Sequence, residues 1–169
     1  FYRWLGLRGE VSANPVEGIR APKGPKALPK ALSPDEASNL LAATGDAVEE
    51  IRDQAMFELF YSSGLRLAEL VALDVACLAE LLEGEVRVLG KRKKERYVPV
   101  GAKARDAVSC WARRRAELAK PDETALFVGQ RGQRISPRVV QLRLKQRAVT
   151  QGLLVGVHPH MLRHSFASH

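Results

Sequence analysis

The chain has 169 residues, of which 46% are hydrophobic and 27% charged, and its formal net charge at pH 7 is +8. This length and composition predict one well-cored domain with a short appendage. The sequence has no run of about 18 apolar residues, and the opening FYRWLGLRGE has neither a basic start nor an apolar core, which argues against a membrane span and a signal peptide. We therefore expect a cytoplasmic protein.

The positive charge is unevenly distributed along the chain. Residues 33–85 carry a net charge of −10, whereas residues 86–147 carry +13. Such a concentration of lysine and arginine is typical of a surface that neutralises nucleic-acid phosphates, and it predicts binding that weakens steeply as salt rises. Basic stretches also bind acidic proteins and membrane surfaces, so the charge favours nucleic acid without excluding those partners.

The first part of the chain predicts the end of a helix followed by an extended linker. FYRWLGLRG has the pattern of an amphipathic helix whose core this chain does not otherwise supply. Four prolines among lysines and glycines follow in residues 14–32, and they cannot sustain a helix or a central strand. The capping box SPDE at residues 33–36 then predicts a helix that begins at about Pro34.

The following segments predict a mainly α fold with a small antiparallel β-sheet. Helical spacing covers residues 47–62 up to the stop signal Ser63-Gly64, and RLAELVAL adds a short helix up to Asp74. Alternating valines on both sides of GKRKK predict a hairpin with a strongly basic tip, and a short strand near residues 78–82 would make the sheet three-stranded. Further helices are expected at residues 102–119, at 137–150 and from about His160.

The two cysteines carry little functional information. Cys77 and Cys110 are 33 positions apart and have no metal-ligand spacing around them. Buried free thiols are therefore expected, rather than a disulfide or a metal site.

Near the end of the chain, His160 and Arg163 stand three positions apart in HPHMLRHSFASH. On a helix the two side chains share one face and can converge on a single anion, such as a backbone phosphate of nucleic acid. By itself, His-x-x-Arg is a common coincidence in basic proteins, and the competing interpretation is a solvated helix start. The other motifs decide between these interpretations.

Four motifs occur in a definite order: SPDEASNLL, YSSGLRLAEL with Arg66, the basic hairpin VLGKRKKERYVPV with Lys91, and HPHMLRHSFASH with His160 and Arg163. Together they resemble the tyrosine recombinases of the phage integrase family. The stretches FYRWL, NPVEGIRAPK, LPKALSPDEA and GLRLAELVALD resemble the bacterial Xer type. The resemblance implies a tyrosine recombinase catalytic domain fold that is incomplete at its C-terminus.

The resemblance also implies a domain organisation. Residues 1–14 would be the end of an N-terminal core-binding (SAM-like) domain, residues 15–32 the interdomain linker, and residues 33–169 the catalytic domain without its C-terminal part. In the family, a second histidine or tryptophan and then the nucleophilic tyrosine follow the His-x-x-Arg element, and neither is present here. The tyrosines of this chain all precede that element and match other positions: Tyr2, Tyr61 and Tyr97. We therefore expect this truncated chain not to cleave DNA.

The resemblance assigns roles to the motif residues. Arg66 and Arg163 would surround the non-bridging oxygens of a phosphodiester, which guanidiniums suit because each offers a fork of donors and stays protonated. Lys91 would protonate the departing 5′ oxygen, and Lys93 is the alternative acid if the register slips. His160 would assist proton transfer at the nucleophile and bind the phosphate.

Structural interpretations and secondary contacts complete the expected site. Arg66 has a structural alternative, an ion pair with Glu69 three positions along its helix, worth only a few tenths of a kcal/mol. His158 and His169 fit no catalytic position and are expected to be structural. The expected DNA contacts are Arg92, Lys93, Lys94, Arg96, Arg138 and His164.

The family resemblance further implies a reaction and a set of partners. The reaction forms a covalent 3′-phosphotyrosine bond and a free 5′-hydroxyl, with no cofactor and no metal. The partners would be a double-stranded DNA recombination site, a second Xer recombinase (XerD-like) in a heterotetramer, and an FtsK-like DNA translocase of the division septum. The expected function is site-specific recombination that resolves chromosome dimers at cell division. The alternatives are a phage or transposon integrase and a non-catalytic DNA-binding module on a recombinase scaffold.

Overall fold

The computed structural model describes residues 2–12, 31–90, 95–153 and 156–168. Within these ranges the chain forms eight α-helices and one antiparallel sheet of two strands, which confirms the predicted mainly α class. None of the helices formed by the described residues is long and apolar enough to cross a membrane. In chain order the elements are α1 (Tyr2–Leu7), α2 (Pro34–Leu41), α3 (Val48–Ser63), α4 (Leu67–Val71), α5 (Leu78–Glu83), β1 (Glu85–Leu89), β2 (Glu95–Pro99), α6 (Ala102–Arg114), α7 (Pro137–Thr150) and α8 (Pro159–Ser168).

Helix α3 is the centre of the domain. It contacts α2, α4, α6, α7 and α8, and none of its residues is exposed, as in a helix enclosed by protein. Gly64 ends α3 in the left-handed conformation, with φ of +56°, and its N–H donates to the carbonyl oxygen of Phe60. This predicted stop turns the chain so that Arg66 follows directly at the start of α4.

Several predicted elements are confirmed with small changes of boundary. The capping box at Ser33 is present in both directions, since Glu36 N donates to Ser33 Oγ and Ser33 N donates to Glu36 Oε2. The helix predicted up to Asp74 ends at Val71 instead. The chain there pairs with a buried apolar segment, because Leu126 N donates to the carbonyl oxygen of Leu73. The helix predicted for residues 102–119 ends at Arg114 and continues as the 3₁₀ turn Arg115–Glu117.

The third strand predicted near residues 78–82 is wrong. That segment is helix α5, in which Leu78, Leu81 and Leu82 have helical spacing and Leu81 is fully buried. Gly84, with φ of +112°, ends the helix and lets the chain enter β1 directly. A short apolar run fits either a strand or a helix, and here the tertiary packing selects the helix.

The predicted burial of both cysteines is also wrong. Both thiols are free, but Cys77 is half-buried and Cys110 is exposed. Helix α6 buries the stripe formed by Ala104, Val108 and Trp111, and Cys110 lies outside that stripe.

An ion-pair network joins α7 to the central helix. Arg143 of α7 contacts both Glu50 and the fully buried Asp53 of α3, and Arg147 reaches Glu50 at 3.1 Å. Asp53 is also paired with Arg52, its neighbour on α3. These contacts span about 90 residues of sequence, and they fix α7 beside the N-terminal half of α3.

A buried serine ties α8 to the start of the domain. Ser165 Oγ accepts a hydrogen bond from Leu32 N at 3.0 Å and donates to the carbonyl oxygen of Met161 at 2.9 Å. Both Ser165 and Leu32 are buried, although they are 133 positions apart. Helix α8 carries His160 and Arg163, so this contact helps to set the position of both.

We predict that Ser165→Ala lowers the free energy of unfolding by about 1–3 kcal/mol, because it leaves the buried N–H of Leu32 without an acceptor. Urea denaturation monitored by circular dichroism measures the change. Ser38→Ala is the matched control, since Ser38 is exposed on α2 and its loss should change stability by less than about 0.5 kcal/mol. Equal stabilities of the two variants would contradict this account of the α8 position.

Candidate functional site

The His-x-x-Arg element and Arg66 meet in one cleft. The cleft lies where the turn between α3 and α4 approaches α7 and the start of α8, and its volume is about 220 Å³. It brings together residues that are about 100 positions apart in sequence. Its lining residues are Leu65, Arg66, Leu67, Gln141, His158, Pro159, His160 and Arg163.

Arg66 is held at the mouth of this cleft by Glu69. The backbone N–H of Arg66 donates to Glu69 Oε2 at 2.7 Å, and its Nη1 donates to Glu69 Oε1 at 2.8 Å. The ion pair that we considered as a structural alternative is therefore present. It does not remove Arg66 from the cleft, because 45% of the arginine side chain remains exposed whereas only 4% of the Glu69 side chain does. The pair orients the guanidinium and leaves part of it accessible to a ligand.

Arg163 enters the same cleft from α8. Its Nη1 donates to the carbonyl oxygen of Gly64 at 2.6 Å, so the turn that presents Arg66 also fixes Arg163. Burial lowers the pKa of Arg163, the positive charges of Arg66 and Arg96 lower it further, and Glu69 opposes them. The guanidiniums of Arg66, Arg96 and Arg163 thus influence one another around the single carboxylate of Glu69. This excess of positive charge makes the cleft a site for an anion.

Glu69 is the residue that sequence reasoning undervalued. Besides Arg66 it binds Arg96 of β2, whose Nη2 donates to Glu69 Oε2 at 2.7 Å. Burial alone would raise the pKa of Glu69, but the hydrogen bonds from the Arg66 backbone and side chain and from Arg96 outweigh it, so the pKa is lowered. The i,i+3 spacing predicted only the contact of Glu69 with Arg66. Arg96, the second partner of Glu69, lies 27 positions further along the chain.

His158, just before α8, and His160, in its first turn, also lie at the cleft. His160 is exposed, and its ring meets that of His158 edge-on with the centroids 6.3 Å apart. His158, which was expected to be structural, is exposed and lines the cleft. Residues 156–158 have no regular secondary structure and α8 begins at Pro159, so His158 lies outside the helix and helical spacing does not link it to His160.

The structure brings only some of the predicted site residues together. Arg66, His160 and Arg163 line the cleft, and Arg96 reaches it through Glu69. Arg138 on α7 and His164 on α8 are exposed and do not line it. Outside the described residues lie Lys91, Arg92, Lys93, Lys94 and His169.

The comparisons with known proteins identify the family. Residues 30–169 match the phage integrase family. The chain therefore belongs to this family, which comprises DNA breaking and rejoining enzymes of the tyrosine recombinase class.

Two relatives show the type of recombinase that the chain is similar to. The chain is 50% identical over 186 residues to tyrosine recombinase XerC of Ralstonia pickettii (strain 12J), covering 100% of this chain and 57% of that protein. It is 51% identical over 170 residues to tyrosine recombinase XerC of Azotobacter vinelandii, covering 100% of this chain and 56% of that protein. These matches confirm the resemblance to the Xer type and, within it, to XerC. The chain spans little more than half the length of these relatives.

Solved structures agree with the fold. The crystal structure of XerA recombinase has a TM-score of 0.73 and 28% identity, covering 83% of this chain and 50% of that one. A lambda integrase dimer bound to a core site has a TM-score of 0.68 over 99% of this chain and 61% of that one, at 18% identity. The predicted tyrosine recombinase catalytic fold is confirmed.

We predict that Glu69→Gln destabilises the protein by about 2 kcal/mol at pH 7, because it weakens hydrogen bonds between a buried carboxylate and two guanidiniums. The effect depends on pH. The folded state lowers the pKa of Glu69, so the stabilisation is complete above the ordinary value of 4.5 and is lost as the pH falls through the lower folded-state pKa.

Denaturation of both proteins from pH 7 downward measures this dependence. The stability difference between wild type and Glu69→Gln should shrink on acidification. A difference that stays constant or widens with acid would show that the Glu69 charge contributes nothing to the fold.

Proposed function

We propose that the protein to which this chain belongs is a site-specific DNA recombinase that cuts and rejoins DNA through a 3′-phosphotyrosine intermediate. The observation that carries the proposal is the convergence of Arg66, His160 and Arg163 on one cleft. Two guanidiniums held by Glu69 and by the Gly64 carbonyl are preorganised donors for a phosphate, and they need no rearrangement when charge develops on its oxygens.

In the proposed reaction, Arg66 and Arg163 stabilise the non-bridging oxygens as a tyrosine hydroxyl attacks the phosphorus. A bond forms between the tyrosine oxygen and phosphorus, and the bond to the 5′ oxygen breaks. His160 takes part in proton transfer at the nucleophile, and Lys91 gives a proton to the departing 5′ oxygen, with Lys93 as the alternative. Support for the lysine comes from β1 and β2, since residues 91–94 connect these two strands and β2 contacts Glu69 through Arg96.

The nucleophilic tyrosine is proposed to lie outside residues 1–169, so that this chain alone does not cleave DNA. Tyr97 is exposed on β2, and strand alternation puts it on the face opposite Arg96. Tyr61 lines a separate groove formed by α2, α3 and the start of α6, together with Glu58 and Lys103. The gene sequence downstream of His169 tests the point: a continued reading frame with a tyrosine supports the enzyme, and a stop codon supports a non-catalytic DNA-binding module.

The biological role proposed is resolution of chromosome dimers at cell division. The partners would be a DNA recombination site, a second Xer recombinase (XerD-like) in a heterotetramer, and an FtsK-like translocase, in the cytoplasm. Identities near 50% to XerC proteins favour this role over that of a phage or transposon integrase. The DNA contacts proposed are Arg92, Lys93, Lys94, Arg138 and His164.

We predict that the full-length protein forms a covalent adduct with a nicked duplex carrying the recombination site of its own genome. Arg66→Gln and Arg163→Gln should each slow adduct formation by about 10²–10³-fold, the usual cost of losing one preorganised donor to an oxyanion. Arg113→Gln is the matched control, because Arg113 is exposed on α6 and, among the described residues, donates only to its own helix. DNA binding without any adduct in the wild type would overturn the catalytic proposal.

A second prediction concerns salt. Replacing Arg92, Lys93 and Lys94 by alanine should flatten the slope of log K against log salt by about 0.9 for each phosphate that the protein no longer neutralises. Fluorescence anisotropy with labelled duplex measures the slope. A control with the same charge change replaces exposed Arg113, Lys120 and Arg131. If only the control flattens the slope, the DNA surface lies elsewhere.

A further inference from the structure

The sheet carries one arginine on the face that it turns to the core. In the register of the hairpin, Val86 pairs with Val98 and Val88 pairs with Arg96, and all three valines are buried. Directly paired residues share one face of an antiparallel sheet. Arg96 therefore stands where the alternation calls for an apolar side chain.

Arg96 is held on that face by a buried charge. Its Nη2 donates to Glu69 Oε2 at 2.7 Å, and 37% of its side chain remains exposed. Its Nε atom is buried and has no hydrogen-bond partner in the part of the chain that the structure describes. An arginine placed there at such a cost points to a use that an apolar residue does not serve.

That use follows from the hydrogen bonds that each of the two carboxylate oxygens of Glu69 accepts. Oε1 accepts from Arg66 Nη1, whereas Oε2 accepts from the Arg66 backbone and from Arg96. Without Arg96, the guanidinium of Arg66 would be the only one among the described residues that donates to this carboxylate. The carboxylate would then neutralise the charge of Arg66 more fully. Its Oε2 atom would also be free to attract the remaining N–H donors of Arg66 away from the cleft.

We propose that Arg96 is a positioning residue of the reaction, acting through Glu69 on Arg66, and not primarily a contact to the DNA backbone. The inference rests on the proposed function of the cleft. Arg96 satisfies the second oxygen of Glu69, so that Arg66 is oriented by the carboxylate and still presents free donors to a phosphate. Arg96 also fastens β2, the strand that directly follows residues 91–94, to α4, the helix that begins directly after Arg66.

The hairpin offers a matched control. Arg87 of β1 stands on the opposite face, where it forms an ion pair with Glu95, its diagonal neighbour on β2, and half of each of these two side chains is exposed. Arg87 and Arg96 thus have the same chemistry in the same sheet and differ in the carboxylate that each binds.

The test measures adduct formation by the full-length protein on the nicked recombination site, in single-turnover reactions at saturating protein. Arg96→Gln should lower the rate constant at least about tenfold, as a misplaced catalytic group does, with the Kd for DNA changed by less than about threefold. Arg96→Lys should restore part of the rate, and Arg87→Gln should change neither quantity. The double variant of Arg96→Gln with Glu69→Gln should be no slower than Glu69→Gln alone.

Two outcomes would overturn the inference: Arg96→Gln behaves like Arg87→Gln, or it weakens DNA binding with the saturated rate unchanged, as a backbone contact would. Absence of an adduct from the wild type would instead contradict the proposed function. The inference is then decided by NMR of arginine side chains, in which Arg96→Gln should shift the Nε–Hε signal of Arg66 and Arg87→Gln should not. An unshifted Arg66 signal would reject it.

Discussion

The site depends on one buried carboxylate that is surrounded by guanidiniums. A charged Glu69 with 4% of its side chain exposed is tolerated because Arg66 and Arg96 both donate to it. Without Glu69, Arg66, Arg96 and Arg163 would repel one another in the same small volume. A single negative charge therefore allows three positive ones to be concentrated, and the cleft keeps a net positive charge.

The scaffold brings these charges together through the central helix. Helix α3 has no exposed residue, and its last turn ends at Gly64. The residues after this turn present Arg66, and the Gly64 carbonyl receives Arg163. The packed core thus holds the guanidiniums of Arg66 and Arg163, which come from distant parts of the chain, in fixed positions. This arrangement suits catalysis by positioning, in which donors are aimed before the charge develops.

Local signals in the sequence predicted much of the fold. The capping box at Ser33, the glycine stop at Gly64 and the valine alternation of the hairpin each depend on neighbouring residues, and the structure confirms all three. The strand predicted at residues 78–82 was wrong, since a short apolar run does not distinguish a strand from a buried helix.

The candidate site was predictable only in part. Arg66, His160 and Arg163 were found because their motifs are local and their order resembles a family. The second contact of Glu69 and the tie between Leu32 and Ser165 join residues 27 and 133 positions apart, so no spacing rule could reveal them. The place of His158 at the cleft was not predicted, because His158 precedes the helix whose periodicity drew attention to its neighbours.

The most direct test of the central claim is a crystal structure of the full-length protein bound to its nicked recombination site. We expect guanidinium nitrogens of Arg66 and Arg163 to lie about 2.7–2.9 Å from non-bridging oxygens of the same phosphate, with Arg66 still paired to Glu69. Arginines that contact different phosphates, or a cleft without phosphate while the DNA is bound elsewhere, would contradict it.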